Sequence, residues 1–194
     1  IRTDFDPLLI AEEFQEKGAS VLSILTDDAF FKGHNNYLSA VKEKYTIPVI
    51  RKDFIIDIIQ VYESKIIGAN AILLILEILD TQTAQTLIDT ARELDLDYLI
   101  EIHSEQDIEK LKTLNHVNMI GINNRNLKDF TVDINRSIMY KNTLFDQFPN
   151  ALFIAESGYS KRTELEILEK EGFNAVLIGE GLALNKELIG YFKK

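Results

Sequence analysis

Four apolar runs in this chain each end in a polar side chain suited to acid–base work. Ile47-Pro48-Val49-Ile50-Arg51-Lys52 ends in Lys52, and Leu99-Ile100-Glu101 ends in Glu101. Met119-Ile120-Gly121-Ile122-Asn123 ends in Asn123, with Arg125 two residues on, and Phe153-Ile154-Ala155-Glu156 ends in Glu156. A lysine in apolar surroundings has its charged form disfavoured by desolvation and favoured by nearby carboxylates, and it can give a proton to a developing alkoxide. Two carboxylates can take protons or stabilise a cationic intermediate, and an amide can hold a hydroxyl. One charge at a strand end is ordinary, because a strand must meet solvent somewhere. Four such ends, mixing a cation, an amide and two acids, point to acid–base work on an anionic substrate. Alternation along a strand puts Ile50, Lys52 and Phe54 on one face and Arg51 with Asp53 on the other.

Anion binding is a second theme. Glu156-Ser157-Gly158 and Gly179-Glu180-Gly181 each follow an apolar run. Glycines there let backbone N–H groups approach a phosphate; plain turn glycine is the competing reading. The Glu180 side chain is not expected on a phosphate, since like charges repel. Phe30-Phe31 is suited equally to stacking on an aromatic substrate and to packing. His34, His103 and His116 lack ligand spacing, so no metal site is signalled. His103, two residues past Glu101, is expected at the surface, with lining a substrate mouth as the alternative. Asn135-Arg136-Ser137 matches a glycosylation triplet by chance.

The elements that must position these groups follow from period and punctuation. Strands are expected at Ala19–Leu25, Ile47–Ile50, Ala71–Leu76, Tyr98–Ile102, Val117–Ile122, Ala151–Ala155 and Ala175–Ile178. All are short and apolar at nearly every position, as in a parallel sheet covered on both faces. Helices are expected at Pro7–Lys17, Asn35–Lys44, Asp57–Ile67, Thr81–Leu94, Ser104–Leu114, Asp133–Gln147, Ser160–Glu171 and Asn185–Lys194, with Gly18, Gly68 and Gly172 as stops. A glycine stop followed by a strand recurs as Gly68-Ala69-Asn70-Ala71 and Gly172-Phe173-Asn174-Ala175. Alternating βα units leave an open doubly wound sheet or a closed barrel. Because the chain opens on a helix, and on Ile1 rather than Met, a further strand is expected upstream. The expected fold is therefore α/β, a TIM (β/α)8 barrel with seven of its eight strands in residues 1–194, forming one N-terminally incomplete domain. On that count the two glycine loops follow barrel strands 7 and 8, a frequent phosphate site.

Composition bounds the function. With 46% hydrophobic residues, 11 Phe and 7 Tyr, the chain can bury a core, which excludes disorder as its main state. The 31 acids against 21 bases give a net charge of −10, which would repel nucleic acid or an anionic membrane. No apolar run is long enough to span a bilayer, and no signal-peptide pattern opens the chain. Without cysteine there is no disulfide, thiolate nucleophile or Cys-ligated metal, and a reducing compartment fits.

Several segments together resemble the indole-3-glycerol-phosphate synthase family, the barrel enzymes of tryptophan biosynthesis. They are Leu22-Ser23-Ile24-Leu25-Thr26-Asp27 with Phe30-Phe31-Lys32-Gly33, Pro48-Val49-Ile50-Arg51-Lys52-Asp53-Phe54-Ile55-Ile56-Asp57, Gly68-Ala69-Asn70-Ala71-Ile72-Leu73-Leu74-Ile75, Ile100-Glu101-Ile102-His103, Gly121-Ile122-Asn123-Asn124-Arg125-Asn126-Leu127, Ala155-Glu156-Ser157-Gly158 and Leu177-Ile178-Gly179-Glu180. The resemblance implies a carboxy-lyase acting on 1-(2-carboxyphenylamino)-1-deoxyribulose 5-phosphate by ring closure, decarboxylation and dehydration. It implies Lys52 as general acid on the ribulose carbonyl and Glu101 in the proton transfers of dehydration. Glu156 would stabilise the cationic intermediate, and Asn123 would hold a sugar hydroxyl. Arg125 would sit near the substrate carboxylate, and Phe31, Phe54 and Leu73 would line the anthranilate ring. Ser157, Gly158, Gly179 and Glu180 would form the phosphate loops, the last through its backbone. No metal or organic cofactor is implied and a cytoplasmic location is expected; the oligomeric state stays open, with a monomer favoured for the full-length protein.

The family's first-strand Glu-x-Lys pair and Ser-Pro-Ser stretch have no counterpart here, while Asn126 and Gly181-Leu182-Ala183 depart mildly from the usual residues. A chain without that first strand is expected not to turn over by itself. A catalytically incompetent truncated barrel, or another phosphate-sugar isomerase or epimerase barrel, therefore stays open as an alternative.

Overall fold

A computed structural model describes residues 5–126, 131–184 and 187–189. The expected last helix, Asn185–Lys194, lies outside the described residues except for 187–189, as do Leu127 and Ile1–Asp4. In chain order the elements are α1 (Pro7–Glu16), β1 (Leu22–Leu25), α2 (Asp28–Phe31), α3 (Asn35–Lys44), β2 (Val49–Lys52), α4 (Ile58–Ile66), β3 (Ala71–Ile75), α5 (Thr81–Glu93), β4 (Asp97–Ile102), α6 (Glu105–Leu111), β5 (Met119–Asn123), α7 (Asn135–Leu144), β6 (Leu152–Glu156), α8 (Arg162–Lys170), β7 (Ala175–Leu177) and α9 (Glu180–Leu184). Strand order follows chain order. Two compact units result: Ile1–Leu74 with Thr86–Tyr98 and Ile189–Lys194, and Ile75–Gln85 with Leu99–Leu188.

In the first unit, β1 pairs with β2 and β2 with β3, all parallel. Its helices start where the sequence supplies acceptors. Asp6 accepts from the amides of Leu8 and Leu9 ahead of α1, with Pro7 in a first turn that needs no donor. Asp57 and Gln60 close a reciprocal capping box on α4. Ala11, Leu22, Leu38, Val41, Ile47, Val49 and Ala69 form a buried cluster between helices and strands, with Phe14 and Ile67 against it.

In the second unit, β4 pairs with β5, β5 with β6 and β6 with β7, again parallel. Ser104 and Asp107 close a second capping box on α6. Ile100, Ile102, Ile120, Ile122 and Ala155 are fully buried.

The repeated Gly-x-Asn-Ala segments have a common physical cause. Gly68 and Gly172 take φ of 92° and 72°, which a side chain resists, and so end their helices. The asparagine two residues on then accepts from a strand amide. Asn70 Oδ1 accepts from Val49 at 2.9 Å, and Asn174 Oδ1 accepts from Phe153 at 2.8 Å. Each device joins a helix stop to a neighbouring strand.

All seven expected strands exist, with shifted ends. β2, β5 and β6 run on to include Lys52, Asn123 and Glu156, because the parallel ladder continues through them: Leu25 partners Lys52, and Asn123 partners Glu156. Hydrophobicity ends before the ladder does. Two short helices, α2 and α9, were not expected. Asp27 caps α2 by accepting from the amides of Phe30 and Phe31.

Candidate functional site

In the first unit, Lys52 is the last residue of β2. By register, Ile50, Lys52, Ala71 and Leu73 share one face, and Arg51 lies on the other with Ile72. The neighbouring Arg51 is buried at 3% exposure and all of its donor groups are engaged. Its Nε donates to Thr26 Oγ1 (3.0 Å), and its Nη1 donates to Ser64 Oγ and the Gln60 carbonyl (both 3.1 Å). Its Nη2 pairs with Asp53 (3.0 Å) and Glu63 (2.7 Å). Thr26 Oγ1 also donates to Asp53 at 2.6 Å. This clamp grips the residues on both sides of Lys52 and so fixes the strand end that carries it.

Phe54 lies just beyond, with ring centroids 5.7 Å from Phe30 and 6.2 Å from Phe31. Phe30 and Phe31 are exposed and Leu73 is buried. The Phe30-Phe31 pair is thus part of an exposed aromatic group and not core.

In the second unit, register settles which side chains share a face. Glu101 partners Gly121, Gly121 partners Ile154, and Asn123 partners Glu156. Alternation therefore sets Glu101, Gly121, Asn123 and Glu156 on one face of three adjacent strands, about 4.8 Å apart strand to strand. Glu101 (2%), Asn123 (7%) and Glu156 (1%) are all buried. A Cβ built on Gly121 would overlap Glu156 Oε1, so this glycine makes room for the carboxylate. Glycine inside a strand signals such a close approach, and that signal was available in the sequence.

The loops beyond these strands are held by buried polar groups. Asn123 Oδ1 accepts from the Arg125 amide at 3.0 Å. Asn124, fully buried, donates to the Ser157 carbonyl (3.0 Å) and to Tyr159 Oη (2.8 Å), and accepts from Ser137 N (3.1 Å) and Oγ (2.6 Å). Burial pushes the Tyr159 phenol above its usual range, against the opposing effect of hydrogen bonds with Ser137 and Asn124. Ser157 and Gly158 have consecutive positive φ values of 66° and 87°, and a Cβ on Gly158 would overlap Val132 Cγ1. A Cβ on Gly179 meets nothing within 4 Å, so its backbone is open. Arg125 Nη2 pairs with Glu180 Oε2 at 3.2 Å.

His103 departs from its expected surface position. It is 5% exposed, since alternation from Glu101 keeps it on the same buried side. Its Nε2 lies 3.1 Å from Glu101 Oε1 and its Nδ1 lies 3.8 Å from Glu77 Oε2, and neither contact is an aligned hydrogen bond. Glu77, His103 and Asp107 place ligand atoms within 4.8 Å of one another. A metal there would have to compete for Asp107. One of its oxygens accepts from the amides of His103 and Ser104, and the other lies 3.9 Å from Lys110 Nζ.

The fold class is that of the α/β barrels. The chain superposes on the crystal structure of 3-hexulose-6-phosphate synthase from Salmonella typhimurium with a TM-score of 0.70 and 17% identity, covering 95% of this chain and 89% of that one. At the level of sequence, the model of the family described as indole-3-glycerol phosphate synthase matches residues 1–192. The proteins of that name from Chlorobium chlorochromatii (42% identical, 95% of this chain, 70% of that protein) and Chlorobium luteolum (45%, 96% and 70%) are similar throughout. So is the one from Halalkalibacterium halodurans (42%, 94% and 70%). The chain belongs to the indole-3-glycerol phosphate synthase family, carboxy-lyases of tryptophan biosynthesis that act on a phosphorylated small molecule. Among the described residues no helix is long and apolar enough to cross a membrane.

Proposed function

We propose that this protein closes the pyrrole ring of 1-(2-carboxyphenylamino)-1-deoxyribulose 5-phosphate, releasing CO2 and water to give indole-3-glycerol phosphate, and that it does so in the cytoplasm. One observation carries the reading beyond family membership. Glu101, Asn123 and Glu156 stand buried on one face of adjacent strands, each at or near a carboxyl end, which is where barrel enzymes keep their chemistry.

The roles follow from chemical type. Lys52 is the general acid on the ribulose carbonyl, which makes that carbon electrophilic toward the aromatic ring. Glu156 stabilises the cation formed on ring attack, since a buried carboxylate in low dielectric acts strongly on a developing positive charge. Asn123 holds a sugar hydroxyl. Glu101 handles the proton transfers that expel water. Phe31, Phe54 and Leu73 supply the apolar wall for the aromatic ring. Arg125 exchanges its Glu180 partner for the substrate carboxylate. Backbone amides of Ser157, Gly158, Gly179 and Glu180 bind the phosphate; the left-handed turn at 157–158 and the open backbone at Gly179 support that assignment. Glu180 contributes through its backbone, because its carboxylate and the phosphate carry like charges and repel.

The test is an assay of the full-length protein with the synthetic ribulose phosphate, following indole absorbance. Product formation is expected, and its absence rejects the reading.

A further inference from the structure

We propose that His103 is a positioning residue that stores the proton of Glu101, with Glu77 orienting the imidazole. The proposal rests on the reading of Glu101 as the group that moves protons during dehydration. Its own support is geometric. His103 has a side chain 2% exposed, and its two ring nitrogens face two different carboxylates, Glu101 Oε1 at 3.1 Å and Glu77 Oε2 at 3.8 Å. The charged groups around it come from three elements: Glu101 on its own strand, Glu77 beyond β3, and Asp107 with Lys110 on α6. One Asp107 oxygen caps α6 through the amides of His103 and Ser104, and the other lies 3.9 Å from Lys110 Nζ. Lys110 donates to the carbonyls of Leu76 and Leu79, which fixes the turn carrying Glu77.

A buried imidazole without aligned partners is costly unless its polar atoms are used. In this proposal Glu77, 3.8 Å from Nδ1, is the acceptor for the ring N–H, which assigns the resident proton to that nitrogen and leaves the Nε2 lone pair toward Glu101. When Glu101 takes a proton from the substrate, the proton passes from Oε1 to Nε2. Glu101 is then a carboxylate again beside an imidazolium held between two acids. The same proton returns through Glu101 to the hydroxide that leaves as water. One proton is parked and given back, and no other bond changes.

His103→Gln keeps a donor beside Glu101 but cannot carry a proton. Measured on the full-length protein, kcat is expected to fall about 10-fold or more with KM for the ribulose phosphate and the unfolding midpoint unchanged. The solvent deuterium isotope effect on kcat should rise. In His103→Ala, free imidazole should restore part of the lost turnover. An unchanged kcat, or a loss matched by KM or stability without imidazole rescue, overturns the proposal.

A second readout does not need turnover. The chain has three histidines, so ring 15N shifts resolve His103, and Glu101→Gln should shift its Nε2 while leaving Nδ1 protonated. No Nε2 response overturns the pairing even if the parent protein forms no product, an outcome that by itself would reject only the proposed function.

Discussion

The Glu156 carboxylate fills the space that a side chain on Gly121 would need: a Cβ there overlaps Glu156 Oε1 and comes within 3.2 Å of Leu99 Cδ1. The two residues lie on adjacent strands, with Gly121 one step of the alternation before Asn123, the register partner of Glu156. One strand therefore gives up a side chain so that an acid on its neighbour can be buried.

Gly121→Ala should accordingly displace the Glu156 carboxylate. Overpacking of this size costs about 1–3 kcal/mol, which a folded barrel domain can tolerate. The expected result is a protein that still unfolds cooperatively but has lost most of kcat. Steady-state kinetics beside a thermal unfolding curve check it, and kcat within twofold of the parent would show that Glu156 has room to move without consequence.

Arg51 tests the support of Lys52. The guanidinium is buried, with the largely buried Asp53 and the half-exposed Glu63 as counter-charges, and removing it leaves the Asp53 carboxylate without its charge partner. Arg51→Met should lower unfolding free energy by about 3–5 kcal/mol, read from urea denaturation. Arg51→Lys should recover only part of that, since an ammonium cannot reproduce five donors in a planar fork.

Tyr159 gives a pH signature. Burial raises its folded-state value above 10.0, the value of an unperturbed phenol. The folded state then holds the proton more tightly than the unfolded state, so the stability is fully present below pH 10.0 and is lost as pH rises through the raised value. Tyr98 and Tyr140 are raised by burial too and add to the same decline. Tyr159→Phe should make the alkaline loss of stability less steep without abolishing it. At neutral pH the variant should start about 1–2 kcal/mol lower, because Asn124 loses an acceptor. Urea unfolding at several pH values between neutral and strongly alkaline checks both signs.

The strands and the parallel βα class were legible because β-branched runs punctuated by helix-stopping glycines carry that pattern locally; the choice of a barrel over an open sheet rested on the helix that opens the chain. Lys52, Glu101, Asn123 and Glu156 stood out as polar groups ending apolar runs. The ends of β2, β5 and β6 were less legible, because hydrogen bonding continues past the last apolar residue and hydrophobicity does not report it. Arg51 reads in the sequence only as a residue on the face opposite Lys52, and Asn124 carries no signal of its own; what buries them is a set of partners such as Thr26, Ser64 and Tyr159 that are distant in sequence. His103 was misplaced for a related reason. A lone histidine carries no sign of burial until the acids around it are in place. Gly121 did carry a local signal, a glycine within a strand, whose meaning depends on Glu156 from the next strand.

The most direct test is formation of indole-3-glycerol phosphate by the full-length protein beside its Lys52→Ala and Glu101→Gln variants. Turnover by the parent, with kcat reduced about 100-fold or more in each variant and folding intact, is the predicted result. Absence of product from the parent, or variants that work within twofold of it, would contradict the assignment of acid–base chemistry to these strand ends.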